Sequence, residues 1–312
     1  MNYFTKAKPY NSLNEYYKKR YGKKVTKIAL NANFTCPNRD GTKGYGGCTF
    51  CLGGSGEYDN LSIKEQFKLV SDIINKKWPD ALYIPYFQAY SNTYKPLPEL
   101  IKIYNEAIDI AGNNLVGLSI ATRADSISDD VIEYLGQLNK KIDVSVELGL
   151  QTSNELTSKR INRCMTNIEF VTTVNKLRQH NIEVIAHIIN GLPGETIEDN
   201  LKTIDFINSL DIQGIKIHSL LLLENTKLYE EYKKEPFHIL SMDEYIEIVA
   251  QEIAHLRDDI IIHRLQADSK LDLLIEPKWT HKKFIVMNNI DKYIRNNNLY
   301  QGKFYIKKDN PH

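Results

Sequence analysis

The chain has no apolar run approaching the ~18 residues that a membrane-spanning helix needs. Its opening, Met1-Asn-Tyr-Phe-Thr-Lys6, lacks the apolar stretch and small-residue cleavage site of a secretory leader. Both absences lead to the expectation of a cytoplasmic protein with no membrane partner. Cysteine is scarce, four in 312 residues, and three of the four fall between positions 36 and 51. That distribution excludes a disulfide framework and reads as metal or redox ligands. Net charge is nearly absent as well, at +1, but the balance hides an asymmetry. Residues 1–27 carry +7 and residues 278–312 carry +6, which leaves −12 between them. Basic ends on an acidic body can grip a polyanion through its phosphates, and they also fit solvated termini.

What is present is alternation. Strand-like runs at 26–32, 81–88, 115–122, 143–149, 183–189 and 214–222 are separated by helical patterns. The stretch Ser62–Trp78 sets Ile63, Phe67, Val70, Ile74 and Trp78 three and four residues apart behind a serine cap. Ser128 and Ser241 are expected to cap later helices in the same way. Six βα units in a row predict a parallel sheet, because parallel strands need helical crossovers. A last apolar run at 260–263 and a final helix near 278–297 follow. The division expected is a basic lead-in over 1–25, a core over 26–258 and a C-terminal extension over 259–312.

Strand parity adds a prediction about the interior. One parity carries Asn31, Gln88, Ser119 with Arg123, Glu147, His187, and Lys216 with His218. The other is apolar, as in Ile28, Val146, Ile188 and Ile217. Strands covered by helices are normally apolar on both faces. A polar row on one side of six strands therefore predicts a hydrophilic lumen.

The cysteine loop follows the first strand, at the mouth where α/β folds bind ligands. It reads Cys36-Pro-Asn-Arg-Asp-Gly-Thr-Lys-Gly-Tyr-Gly-Gly-Cys48-Thr-Phe-Cys51. Three thiolates can hold three irons of a cubane and leave the fourth open. The competing reading is a structural zinc site, which wants four ligands, commonly as two close pairs. Here there is one pair, one single cysteine and no histidine in the loop. Cys164, far downstream, reads as a small buried apolar residue.

The order Cys-x11-Cys-x2-Cys, with Phe50 before the last cysteine, resembles the radical S-adenosylmethionine (SAM) superfamily with an expanded first spacing. Further pieces match a bacterial subfamily related to the Elongator catalytic subunit and to oxygen-independent coproporphyrinogen oxidase. They are Ile120-Ala-Thr-Arg-Ala-Asp125, Glu147-Leu-Gly-Leu-Gln151, Ile161-Asn-Arg163, His187-Ile-Ile-Asn-Gly-Leu-Pro-Gly-Glu195 and His263-Arg-Leu-Gln-Ala-Asp268. The resemblance covers nearly the whole chain. It implies a partial (β/α)6 TIM-like barrel, of α/β class, with short N-terminal and helical C-terminal extensions.

The resemblance also implies an enzyme that reductively cleaves SAM at a [4Fe–4S] cluster held by Cys36, Cys48 and Cys51. The product is a 5′-deoxyadenosyl radical, and an electron donor such as flavodoxin or ferredoxin is needed. Gln151 resembles the residue that bonds the ribose hydroxyls, and Arg163 the partner of the methionyl carboxylate. His187 stands at an adenosine-side contact, and Gln88 where a motif meets the methionyl amino group. Phe50, Arg123 and Glu147 complete the cofactor-facing set. For Gln151 and Arg163 the alternatives are a helix-start hydrogen bond and a surface ion pair. Lys216, His218, His263 and Asp268, at late strand ends, are substrate candidates. Kinship to Elongator together with the basic ends points to tRNA, at a wobble-uridine side chain. The expected phosphate-binding rim is Lys18, Lys19, Arg20, Lys23, Lys24, Lys282 and Lys283. A small-molecule substrate and a non-catalytic, zinc-stabilised RNA-binding module are the alternatives.

Overall fold

A computed structural model of the chain describes residues 3–53, 60–267 and 272–307. The six strand-like runs form β1 (Val25–Leu30), β2 (Leu82–Phe87), β3 (Gly117–Thr122), β4 (Asp143–Gln151), β5 (Glu183–Asn190) and β6 (Gly214–Ser219). They lie side by side in chain order and all pair in parallel. Because each crossover steps the same way, its helix falls on the same, outer face. The inner face is left to curl around a lumen, giving a half-barrel. Ile28, Val146, Ile188 and Ile217 point outward and are fully buried beneath the helices.

The sequence predicts six strands, and the sheet has seven. The run at 260–263 does not stand apart: the short strand β7 (Leu222–Leu223) follows β6, and then β8 (Ile261–Arg264) pairs in parallel with β6. β7 itself pairs antiparallel with β9 (Leu274–Glu276).

The outer helices are α2 (Ile63–Asn75), α3 (Leu97–Ala111), α4 (Asp129–Asn139), α6 (Asn167–Gln179), α7 (Ile197–Asn208) and α9 (Met242–His255), with short α5 (Glu155–Arg160) and α8 (Lys227–Lys234) at the mouth. Capping boxes open α2 at Ser62, α6 at Thr166, α7 at Thr196 and α9 at Ser241. Ser128 makes no side-chain cap on α4, contrary to the expectation from its sequence position. An acceptor three residues on completes the box at Glu65, Glu169, Asp199 and Glu244, whereas Ser128 is followed there by Val131.

An unpredicted helix, α1 (Leu13–Tyr21), covers the seam between the edge strands β1 and β8, touching both. It buries no residue fully and so carries no apolar stripe to betray it. The last helix, α10 (Lys283–Asn296), packs on α9 and meets the lead-in. Asp291 accepts hydrogen bonds from Tyr10 Oη and Lys8 Nζ, both at 2.7 Å, and the Asn11 amide donates to Gln301 Oε1 at 2.8 Å.

This geometry corrects the expected rim. Arg20 pairs with Asp143 (2.7 Å) and Glu183 (3.7 Å), the first residues of β4 and β5. Lys24 lies over the Trp78 ring, 5.3 Å from its centroid, beside the start of β2. The basic half of α1 therefore sits at the opposite end of the barrel from the cysteine loop, held there by carboxylates at the strand starts. The C-terminal stretch is different: Pro277 and Trp279 pack with Gly191 and Leu220, just past the ends of β5 and β6, so Lys282 stands on the mouth side.

Candidate active site

The loop after β1 folds back on itself before anything else is added. The Cys36 carbonyl accepts from the Arg39 amide at 2.8 Å, and the Cys51 amide donates to the Cys48 carbonyl at 3.0 Å. Arg39 bridges the two turns by donating from Nη2 to the Cys51 carbonyl at 2.7 Å. A second segment pins the loop from outside. Asn38 Nδ2 donates to the Asn162 carbonyl (2.7 Å), Asn162 Nδ2 to the Gly47 carbonyl (2.8 Å), and the Thr49 amide to the Ile161 carbonyl (2.9 Å). Gly47 has φ +79°, a left-handed conformation that a side chain would strain. Cys36, Cys48, Cys51 and Phe50 come to line a cavity of about 300 Å³.

Cys164 does not line that cavity. It is exposed rather than buried as its sequence context suggests, and its Sγ bonds Asn162 Oδ1 at 3.2 Å. Among the described residues no three His, Cys, Asp or Glu side chains converge as a closed single-ion site requires. Three thiols of one loop on one cavity suit a larger group with an open corner, which is the donor set of a three-cysteine iron–sulfur site. Burial pushes the Cys48 thiol up to about 12, with Cys51 adding to the shift and Arg123 opposing it, so binding iron there must displace a proton.

Of the polar row, Gln88, Arg123, Glu147, His187, Lys216 and His218 border the cavity, Ser119 reaches it only through Glu147, and Asn31 is not among the lining residues; Gln151 and Arg163 border it as well. Glu147 is its hub. Glu147 Oε1 accepts from Lys27 Nζ (2.6 Å) and Ser119 Oγ (3.1 Å), and Oε2 from Tyr86 Oη (2.6 Å), His187 Nε2 (2.7 Å) and Lys216 Nζ. Burial alone would raise this carboxyl, but the Lys216 and Lys27 ammonium groups outweigh it and hold it well below the usual range. Burial lowers His187 to about 4, with Lys216 acting in the same direction, so it is a neutral donor to Glu147 near pH 7. Burial likewise drives His218 and His263 well below the usual histidine range.

Gln151 owes its position to a bulge. β4 shifts register against β5 between Gly149 and Gln151, and Gln151 itself has φ +67°. Bulges re-aim side chains, and this one turns Gln151 toward the cavity. A Cβ on Gly149 would lie 2.7 Å from Gln151 Nε2, so a side chain there would push the Gln151 amide from its present place.

Arg163 holds the bulge. Its Nη1 donates to the carbonyls of Leu150 (2.6 Å) and Thr152 (2.8 Å), on either side of Gln151. Its Nε donates to the Met165 carbonyl (2.9 Å) and its Nη2 to Asn167 Oδ1 (3.0 Å). Arg163 is thus a clamp on the bulge, with four of its five N–H groups given to these acceptors while it also borders the cavity. Arg123 is occupied too, forked onto Asp125 at 2.9 and 2.8 Å and donating to the Arg163 carbonyl at 2.8 Å.

Three contributors escaped the sequence reading: Lys27, Tyr86 and Arg264. Lys27 and Tyr86 share parity with Asn31 and Gln88, so alternation alone could have found them. Arg264 could not be found that way. A bulge on β8 sets Arg264, rather than His263, opposite Lys216, and His263 lines the lumen further down. Asp268 lies outside the described residues.

Comparison with known proteins agrees with this geometry. The profile of the radical SAM superfamily matches residues 36–207, and that of the radical SAM C-terminal domain matches residues 212–296. The chain is 41% identical to the YtqA protein of Bacillus subtilis over 307 residues, covering 97% of this chain and 95% of that one. It is 27% identical over 189 residues to the tRNA uridine(34) acetyltransferase of Methanocaldococcus infernus, covering 58% of this chain and 33% of that protein. A solved structure of the Methanocaldococcus infernus Elp3 superposes with a TM-score of 0.68 at 19% identity. That alignment covers 89% of this chain and 64% of the other, and shows a shared fold.

Proposed function

The chain belongs to the radical SAM superfamily, whose enzymes use a [4Fe–4S] cluster and SAM, and from that premise we propose that it modifies tRNA, at the side chain of a wobble uridine. The observation that carries the proposal is the meeting, around one cavity, of three loop thiols and a polar row from six strands. Cys36, Cys48 and Cys51 would hold the cluster. When bound, the cluster supplies the electron that splits SAM into methionine and a 5′-deoxyadenosyl radical able to take hydrogen from substrate.

The remaining work falls to the chain's own residues. Gln151, turned inward by the bulge that Arg163 clamps, would bond the ribose of SAM, and Gln88 would meet its amino group. Phe50 backs the loop against an apolar group that includes Ile161, Leu192 and Leu228, which keeps water from that side. The Glu147 network fixes Lys216 and His187 in a single arrangement, so the lumen is organised before a ligand arrives.

Two observations support tRNA. One relative is named for action on uridine 34 of tRNA. The mouth also presents Tyr45, 78% exposed, with Lys43 on the same loop and Lys227 Nζ packed against Gly46. Aromatic rings and ammonium groups together suit single-stranded RNA. A flavodoxin- or ferredoxin-type donor is the partner the chemistry requires. A small-molecule substrate is the second reading, favoured by the placement of the α1 lysines far from the mouth. The test compares modified nucleosides in tRNA from parent and deletion strains. A nucleoside lost or accumulated at the wobble position supports tRNA, whereas identical profiles would move the assignment to a small molecule.

A further inference from the structure

Asn38 sits in the turn that follows Cys36, and it is completely buried. Its main chain and its side chain are both tied. The Asn38 carbonyl accepts from the Gly47 amide at 2.7 Å, and Nδ2 donates to the Asn162 carbonyl at 2.7 Å. Nδ2 also donates to Cys48 Sγ at 3.6 Å, a bonding distance for the larger sulfur atom. A side-chain amide carries two N–H bonds, so these two acceptors use both. Oδ1, by contrast, is buried with no hydrogen-bond partner. It lies against Gly44, where a Cβ would come within 2.3 Å of it.

The two ends of this amide are not interchangeable. Turning it over would set Oδ1, which has no hydrogen to give, against the Asn162 carbonyl. For a residue that only held the loop, the arrangement would be a poor one. Two other bonds, from Asn162 Nδ2 to the Gly47 carbonyl and from the Thr49 amide to the Ile161 carbonyl, already join the same segments. A buried polar atom left unmatched in a native structure calls for an explanation, and a redox role is one. The sulfur that Asn38 reaches belongs to one of the three thiols on the cavity. When an iron–sulfur group takes up an electron, its sulfurs gain negative charge. An N–H dipole aimed at one of them stabilises the reduced state more than the oxidised one, and in a buried site water screens little of that difference.

We propose that Asn38 tunes the cluster, its side-chain amide raising the reduction potential by donating to the Cys48 sulfur. The inference rests on the reading of Cys36, Cys48 and Cys51 as cluster ligands. Asn38 acts through Cys48 and is placed against neither SAM nor substrate. Its effect is to bring the cluster within reach of a flavodoxin- or ferredoxin-type donor.

The experiment measures the ratio of reduced to oxidised cluster in the reconstituted full chain, from the EPR signal of the reduced form across a series of poised potentials. Wild type is compared with Asn38→Leu and Asn162→Gly. Leucine keeps the shape of asparagine and removes the donor. Asn162→Gly keeps the carbonyl that Asn38 bonds and suits the positive φ of position 162, but it deletes the side-chain tie to Gly47. At a fixed potential the ratio should fall about three- to ten-fold in Asn38→Leu, the upper end being a downward shift of about 59 mV for a one-electron couple. Asn162→Gly should melt at a lower temperature with the ratio unchanged. A ratio in Asn38→Leu at or above the wild-type value, with iron intact, would overturn the proposal. So would an equal fall in Asn162→Gly, which would make the shift an effect of loosening the loop. If Asn38→Leu does not retain its cluster, the wild type decides. With asparagine isotopically labelled at the side-chain amide nitrogen alone, the reduced cluster should show a hyperfine coupling to that nitrogen, and absence of the coupling would also overturn the proposal. Iron missing from the wild type would remove the cluster reading itself, whereas iron present with no shift removes only the role of Asn38.

Discussion

The residue whose role changes most between sequence and structure is Arg163. The arginine of an Ile-Asn-Arg motif is legible as a site residue, but the Leu150 and Thr152 carbonyls that hold it are not, since they come from a bulge some thirteen residues upstream. The expected consequence differs accordingly. Arg163→Ala leaves the Leu150 and Thr152 carbonyls without their buried donor and should cost about 1–3 kcal/mol for each carbonyl left unpaired. Arg163→Lys, which keeps the charge but not the fork, should fold with a lower Tm. Its SAM binding should weaken together with that of Gln151→Ala, because both changes act on the same contact. Melting curves and SAM titrations on the three proteins check this. A large loss of SAM affinity in Arg163→Lys with Tm unchanged would return the residue to the ligand.

A second residue-scale expectation concerns pH. Glu252 is fully buried, with Oε2 accepting from Asn190 Nδ2 at 2.7 Å. Burial pushes its carboxyl up to about 8, with the Asn190 bond opposing. The folded state therefore holds this proton more tightly than the unfolded chain does. The stabilisation is complete below about pH 4.5 and is lost as pH rises toward about 8, by at most about 1.4 kcal/mol per unit. Glu252→Gln should flatten that decline, which melting curves at pH 5.5 and 8.5 would register as a smaller loss in the variant.

Among the elements, the strands were the most legible, and the reason is local. Each core strand is a short β-rich run with an apolar outer parity, so alternation located β1 to β6 and most of the polar row together. The register of β8 was not legible, because a bulge depends on its neighbour, and Arg264 was missed with it. Nor was α1, whose Leu-Asn-Glu-Tyr-Tyr-Lys-Lys-Arg-Tyr has no stripe and is fixed by the seam it covers. Capping shows the same division. Ser241 and Ser128 look alike by position, yet only Ser241 has the acceptor three residues on. Ser241→Ala should therefore cost about 1 kcal/mol, and Ser128→Ala nearly nothing, as measured by urea unfolding of each variant.

On the scale of the whole molecule, the charge asymmetry was plain in the sequence, but its placement was not. Two basic ends suggested one rim; the fold sends the α1 lysines to the strand starts and leaves Lys43, Lys227 and Lys282 on the mouth side. If tRNA is the substrate, removing Lys18, Lys19, Lys23 and Lys24 should leave the salt dependence of tRNA binding nearly unchanged. Removing Lys43, Lys227 and Lys282 should lower the slope by about one for each phosphate no longer neutralised. Equal slopes for the two sets, whether both reduced or both intact, would contradict that placement.

The account stands on one assignment, that Cys36, Cys48 and Cys51 hold the cluster while Cys164 does not. The direct measurement is iron per chain after anaerobic reconstitution, in the wild type and in four single Cys→Ala variants. The expected result is about four irons for the wild type and for Cys164→Ala, as a cubane requires. Cys36→Ala, Cys48→Ala and Cys51→Ala should each lose the stable cluster. A full complement of iron in any of those three, or its loss from Cys164→Ala, would contradict the assignment.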